Sequence, residues 1–144
     1  MRDRLYINES YRERILKQME SQNILGFKLC KAIDIFFVAV SLGLNEPMDF
    51  QGKKDGYFQI HNNVGTYEKA LFSSILLGIK ENHQEIDKYA NADINYDQAE
   101  KCAESGFLKL KEKLDDANWD EELFEKRLLS ELKLLYAKNV KSNL

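Results

Sequence analysis

Apolar residues in this chain recur mostly at three- and four-residue intervals, and two short alternating runs stand apart from that rhythm. Arg4-Leu5-Tyr6-Ile7 alternates in character and stops at Asn8, which predicts a strand over 4–7. Tyr57-Phe58-Gln59-Ile60-His61 alternates again and predicts a strand over 57–61, with Phe58 and Ile60 on one face. Asn8 is placed to cap a helix in which Tyr11, Ile15, Leu16 and Met19 share one side, while Arg12, Glu13, Lys17 and Glu20 take the other. Ser21-Gln22-Asn23 and Gly26 then break the pattern.

The most apolar stretch runs from Phe27 to Asn45 and is interrupted only by Lys28, Lys31 and Asp34. It predicts a helix over 28–42, with Gly43 as a left-handed C-cap and Pro47 forbidding continuation. Leu29, Ala32, Ile33, Phe36, Phe37 and Val40 form one stripe of that helix, and Ile35, Val38 and Ala39 fill the opposite side. A helix apolar almost all round belongs at the centre of a core. Residues 45–56 read as a long loop, after which Thr66 opens a third helix through about Ile79, with Tyr67, Ala70, Leu71, Ile75 and Leu76 as its apolar members. Residues 81–94 are polar and poorly periodic, with one short turn expected near Ile86 to Ala90. A fourth helix is predicted from Asn95, capped together with Gln98, to Leu114 through Ala99, Cys102, Ala103, Phe107 and Leu110. The last helix, 118–138, would use Asn118 and Glu121 as its capping pair and Leu123, Phe124, Leu128, Leu132, Leu135 and Tyr136 as its stripe, leaving a tail over 139–144. The sum is an α+β fold, mostly α, in one domain spanning 1–144. About five helices would surround the central segment 28–42, beside a small two-stranded β element formed by 4–7 and 57–61.

Composition agrees with a folded domain. Of the 144 residues 44% are apolar and 31% charged, and one proline with seven glycines leaves little for long linkers. The opening residues carry charge of both signs and no apolar secretion signal, so a cytoplasmic protein is expected. The longest uncharged part of the apolar stretch, Ile35 to Leu44, would cover only about 15 Å as a helix, half of a bilayer core, so no membrane partner is expected. Cys30 and Cys102 each fall within a predicted helix, as buried thiols in a reducing compartment would. The net charge of −3 divides unevenly: residues 1–72 hold ten Lys and Arg against nine Asp and Glu, and residues 73–144 hold eleven against fifteen. Strong non-specific attraction to polyanions is disfavoured by that balance, whereas a local contact surface is compatible with it.

No catalytic, cofactor or metal residues emerge. His61 and His83 lack HxxxH or CxxC company, no GxSxG elbow occurs, and neither GxGxxG nor a phosphate-cradling GKS/GKT is present, so the chain does not read as an enzyme. Asp93-Ile94-Asn95-Tyr96-Asp97-Gln98 with Glu104 spaces acids as a calcium loop does, but Gln98 stands where the sharp turn needs glycine. Acids favoured by a helix N-terminus account for that segment. The opening order of strand, helix, turn and helix is also that of ribbon-helix-helix DNA-binding dimers. On that reading Arg2, Arg4 and Tyr6 share the DNA-binding face; on the other, Arg4 to Ile7 pairs within the chain with Tyr57 to His61.

Two blocks carry a family resemblance. Phe27, Lys31, Phe36, Ala39, Leu42 and Gly43 follow the pattern F-x-x-x-K-x-x-x-x-F-x-x-A-x-x-L-G, and Ala99 to Leu114 reads AEKCAESGFLKLKEKL. With the opening R-x-R-x-Y-I they resemble a family of small proteins associated with Dnd DNA-phosphorothioation systems, over most of residues 2–114. The final helix is then an addition, and Cys102 and Glu104-Ser105 depart from the family's pattern. The resemblance implies a non-catalytic intracellular accessory of a prokaryotic DNA-modification or anti-phage defence system. Such a protein would bind a larger protein of that system, with DNA and a second copy of the chain as further expected partners.

Overall fold

A computed structural model of the chain describes residues 2–77 and 92–142. Strand β1 (Arg4–Asn8) pairs antiparallel with β2 (Lys54–Gln59), setting Arg4 against Gln59, Tyr6 against Gly56 and Asn8 against Lys54, with a bulge at Leu5/Tyr6. The predicted intrachain pairing is therefore present, with its second strand beginning earlier. Ile60 and His61 leave the strand, because the chain turns into the short helix α4 (Ile60–Asn63) as Ile60 N–H donates to the Asp3 carbonyl. Leu5 and Ile7 are buried and Arg4 faces solvent, as alternation requires.

Asn8 does cap: its side chain accepts from Ser10 N–H and opens α1 (Glu9–Tyr11), a π turn (Arg12–Leu16) and α2 (Lys17–Gln22) in succession. Tyr11, Ile15, Leu16 and Met19 are all buried. Asn23, left-handed at φ 50°, ends this run. The next segment departs from expectation. Ile24–Leu29 winds as a 3₁₀ helix, Cys30 and Lys31 are extended, and α3 begins only at Ala32 and continues to Gly43. Asp34 fixes that start by accepting from Lys31 N–H at 3.1 Å.

Helix α3 is the central element that its composition predicts, with Phe36, Ala39 and Val40 fully buried and Ile33, Ile35 and Leu42 nearly so. It lies against α6 (Ala92–Asp116), which is longer at both ends than the predicted fourth helix. Asn95 is a buried position inside α6, where its amide donates to Ser73 Oγ, and not its cap. Gly43 is likewise not a left-handed C-cap: the described glycines with positive φ are Gly26 and Gly52. Gly43 and Gly106 sit where the two helices cross. A methyl group on Gly43 would overlap the Cys102 carbonyl, and one on Gly106 would overlap the Ala39 carbonyl. Small residues four apart on both helices, Ala39 and Gly43 facing Cys102 and Gly106, let the backbones touch.

Helix α5 (Thr66–Leu77) contributes Phe72 to the core, edge-on to Phe36 and Tyr96 and tilted on Phe37 at 4.5 Å. The predicted stripe of this helix was rotated: Tyr67 is 75% exposed and Ala70 faces solvent, because the aromatic cluster draws Phe72 inward. The side chains of Ile75 and Leu76 lie outside the described ones, as do the expected turn near 86–90 and His83. Helix α7 (Glu121–Ser142) follows a turn through left-handed Asn118 and Trp119; it is capped not by Asn118 but by Asp120, whose Oδ1 accepts from Leu123 N–H at 2.8 Å. It also runs into the region 139–142 expected as tail.

Candidate functional site

The β1–β2 ribbon carries the residues singled out in the sequence, and its surroundings decide what each can do. Helix α6 runs along the edge of β1 opposite β2. Glu100, buried at 2% exposure, accepts Tyr6 N–H at 2.6 Å and the Arg2 guanidinium at 2.5 Å, and Arg2 also reaches Asp97 at 2.6 Å. Burial pushes the Glu100 carboxyl above the usual glutamate range, and the bonds from Arg2 and Tyr6 N–H, with the charges of Arg2 and Lys54, offset this only in part. Arg2 responds oppositely: burial lowers its pKa, but the Glu100 bond and the charges of Glu100, Asp97 and Asp93 outweigh that and hold it above its ordinary value. Arg2 is thus an anchor of the strand, while Arg4 and Tyr6 remain on the outer face.

Arg4 is exposed, and its stem lies along Gly56; a Cβ there would stand 3.1 Å from Arg4 Nη1 and 3.3 Å from Cδ. Tyr6, half-buried, is flanked by the Arg2 guanidinium at 5.7 Å from its ring centre. At the other end of the ribbon Lys54 is exposed, with its ammonium 4.4 Å from the ring centre of half-buried Phe50. Among the described residues neither Arg4 nor Lys54 has a carboxylate within ion-pair distance; Lys53 stands 3.9 Å from Glu9. The outer face therefore alternates cations with aromatic rings. Alternation within β1 identifies Arg4 and Tyr6, whereas Lys54 and Phe50 reach this face only through the pairing of β2 and the path of the loop before it.

One turn further along α6, Glu104 gathers ionisable and polar groups from distant segments. Its Oε1 accepts from Asn8 Nδ2 at 2.9 Å, Gln51 N–H at 3.1 Å and the Tyr11 hydroxyl at 3.2 Å, and Asn8 also donates to the Gln51 carbonyl. Oε2 is buried and has no hydrogen-bond partner. Glu104 is only 1% exposed, so the cluster is sealed from solvent and serves to fasten the 49–53 loop and the end of β1 to α6. Burial, then the Glu104 charge, pushes the Tyr11 hydroxyl well above the usual tyrosine range.

Two open depressions flank α3. A cavity of about 290 Å³ is lined by Leu16, Phe27, Ala32, Ile35 and Tyr57, with Arg12, Lys17, Glu20 and Lys31 at its rim. Arg12 there is committed to Asp55 at 2.7 Å and to the Gly56 carbonyl, and Lys17 to Glu13 at 2.5 Å, so the rim has little net charge to offer. The other, of about 630 Å³, lies between the start of α3 and helices α4 and α5 and includes Lys31, His61, Asn62 and Tyr67. Cys30 opens onto the first cavity, exposed and not in the core as its apolar setting predicted, because the chain is extended there and not helical. Cys102 is buried, and burial pushes its thiol up to about 12.

The calcium-like segment is wound into α6, so Asp93, Asn95 and Asp97 cannot wrap an ion. Among the described residues no group of three metal-ligating side chains forms, and no helix is long and apolar enough to cross a membrane. Helix α7 buries Phe124 and Leu128 and leaves Leu123, Leu129 and Leu134 exposed at 38%, 55% and 68%. Comparison of the chain with protein-family models, with curated proteins and with solved structures finds no match.

Proposed function

We propose that this protein works by binding, as a non-catalytic, cytoplasmic accessory of a prokaryotic DNA-modification or anti-phage defence system that docks on a larger protein of that system. The defence context comes from the sequence resemblance. The observation that carries the binding mode is α7: a 22-residue helix held by Phe124 and Leu128 that keeps Leu129 and Leu134 more than half exposed. Leu129 and Leu134 are the apolar side chains on this outer helix that a docking partner would cover. The groups that gather around Glu104 have a sealed, structural arrangement, which also favours binding over chemistry. The test is co-purification with the modification and nuclease subunits of a DNA-phosphorothioation system, using wild type and Leu129→Glu/Leu134→Glu. Loss of a complex in the variant at unchanged melting temperature supports the reading; an equally stable complex refutes it.

The ribbon-helix-helix alternative draws support from the outward placement of Arg4 and Tyr6. Two features count against it. That architecture joins β1 to a second copy's β1, whereas here one edge of β1 pairs with β2 and Tyr6 N–H on the other is given to Glu100. Arg2, the third residue of the set, is bonded to Asp97 and Glu100.

A further inference from the structure

We infer that the outer face of the β1–β2 ribbon binds single-stranded nucleic acid, with Tyr6 and Phe50 receiving bases and Arg4 and Lys54 receiving phosphates. This surface is separate from α7, so the inference goes beyond the protein-docking reading and does not depend on it. Its basis is the pattern of exposed cations and rings. Arg4 and Lys54 are exposed, lack a carboxylate within ion-pair distance among the described residues, and mark opposite ends of the ribbon, opposite Gln59 and Asn8 in the register. Four strand steps separate those ends, roughly 13 Å at the usual rise. Between and beside them lie two rings, each with a cation against it: Arg2 at 5.7 Å from Tyr6 and Lys54 at 4.4 Å from Phe50. Gly56, opposite Tyr6, adds no side chain to the floor between the cations.

A strand of unpaired nucleotides alternates flat π faces with anionic phosphates, and a sheet surface that alternates rings with cations matches it. A duplex matches poorly. Its bases are stacked on one another and cannot lie on a ring. Of the acids nearby, Asp97 and Glu100 are bonded to Arg2, which is why Arg2 is not counted among the phosphate contacts, and Glu9 stands near Lys53.

The experiment is fluorescence anisotropy of a labelled oligothymidylate of about fifteen nucleotides, long enough for one sheet platform, against a labelled duplex of equal length, across a salt series. Wild type should bind the single strand more tightly than the duplex. Arg4→Glu/Lys54→Glu should weaken binding at least tenfold, and Arg4→Gln/Lys54→Gln should make the logarithmic salt slope shallower by about 1.4, the value for two lost phosphate contacts. Tyr6→Leu should weaken binding roughly fivefold or more at an unchanged slope, as loss of stacking does. Melting curves establish that each variant is folded, and the glutamine pair stands in if charge reversal disturbs the ribbon. No binding at low salt, duplex binding as tight as single-strand binding, or affinity that survives both double substitutions overturns the inference.

Discussion

Replacing Gly106 with alanine separates a packing glycine from a merely tolerated one, because the two roles predict opposite signs. At a solvent-facing position inside a helix, glycine to alanine stabilises by about 1 kcal/mol, since alanine loses less backbone freedom and shields the backbone better. At Gly106 the new methyl overlaps the carbonyl of Ala39, a backbone atom held in the middle of α3 that cannot swing aside as a side chain would. Relief requires α3 and α6 to move apart. Overpacking of this kind costs about 1–3 kcal/mol, and the separation also thins contacts made by Phe36, Val40, Cys102 and Phe107, all fully buried. After the propensity gain is subtracted, overpacking leaves about 0–2 kcal/mol and the thinned contacts add to it, for a net loss of about 1–3 kcal/mol, equivalent to a fall of roughly 3–10 °C in Tm for a domain of this size. Urea denaturation followed by circular dichroism measures it, and Gly43→Ala, whose methyl would meet the Cys102 carbonyl, should change stability in the same direction. If Gly106→Ala is neutral or stabilising, the helices do not cross with their backbones in contact and the central packing is misassigned.

Two further predictions concern ionisable groups. Because the Glu100 carboxyl lies above its ordinary range in the folded chain, the native state holds that proton more tightly than the unfolded state, so its contribution to stability is lost as pH rises through and beyond the usual glutamate range. The stability difference between wild type and Glu100→Gln should therefore shift against wild type from acid to neutral pH in denaturant titrations; a shift in its favour refutes the assignment. Thiol counting with an aromatic disulfide reagent near pH 8 should find Cys30 reacting in the native protein and Cys102, with its thiol pushed up to about 12, reacting only after denaturation. Equal rates for both would mean that α6 is not the buried helix described.

What could be read in advance follows the range over which each signal acts. Local signals carried well: the alternation of Leu5 and Ile7, the Asn8 cap, the Tyr11–Met19 face and the near all-round apolarity that buries Ile33, Ile35, Phe36, Ala39 and Val40, though it leaves Phe37 and Val38 half-buried, are properties of a few neighbouring residues. Misreadings arose where one local signal serves two ends. A glycine after an apolar run signals a C-cap or a close helix crossing, and only the position of Cys102 and Gly106, some sixty residues on, separates the two for Gly43. Asn95 and Asn118 each look like caps, yet the helix reaching back to Ala92 and the side chain of Asp120 take those roles. The ribbon face was half legible for the same reason. Arg4 and Tyr6 follow from alternation within one strand, whereas Lys54, Phe50 and the carboxylate of Glu100 come to it through pairing and packing that no local pattern encodes.

The attachment of β1 to α6 has a consequence for how the polypeptide is made. Tyr6 and its acceptor Glu100 lie 94 residues apart, and Asn8 and Gln51 lie 43 apart, so the first strand leaves the ribosome long before either neighbour exists. Leu5 can meet Phe58 once β2 has been made, but β1 lacks the cover of α6 until that helix emerges, and closure of so distant a contact is entropically slow. Nascent chains stalled before Glu100 should therefore leave their opening residues open to protease, and release of the complete chain should protect them.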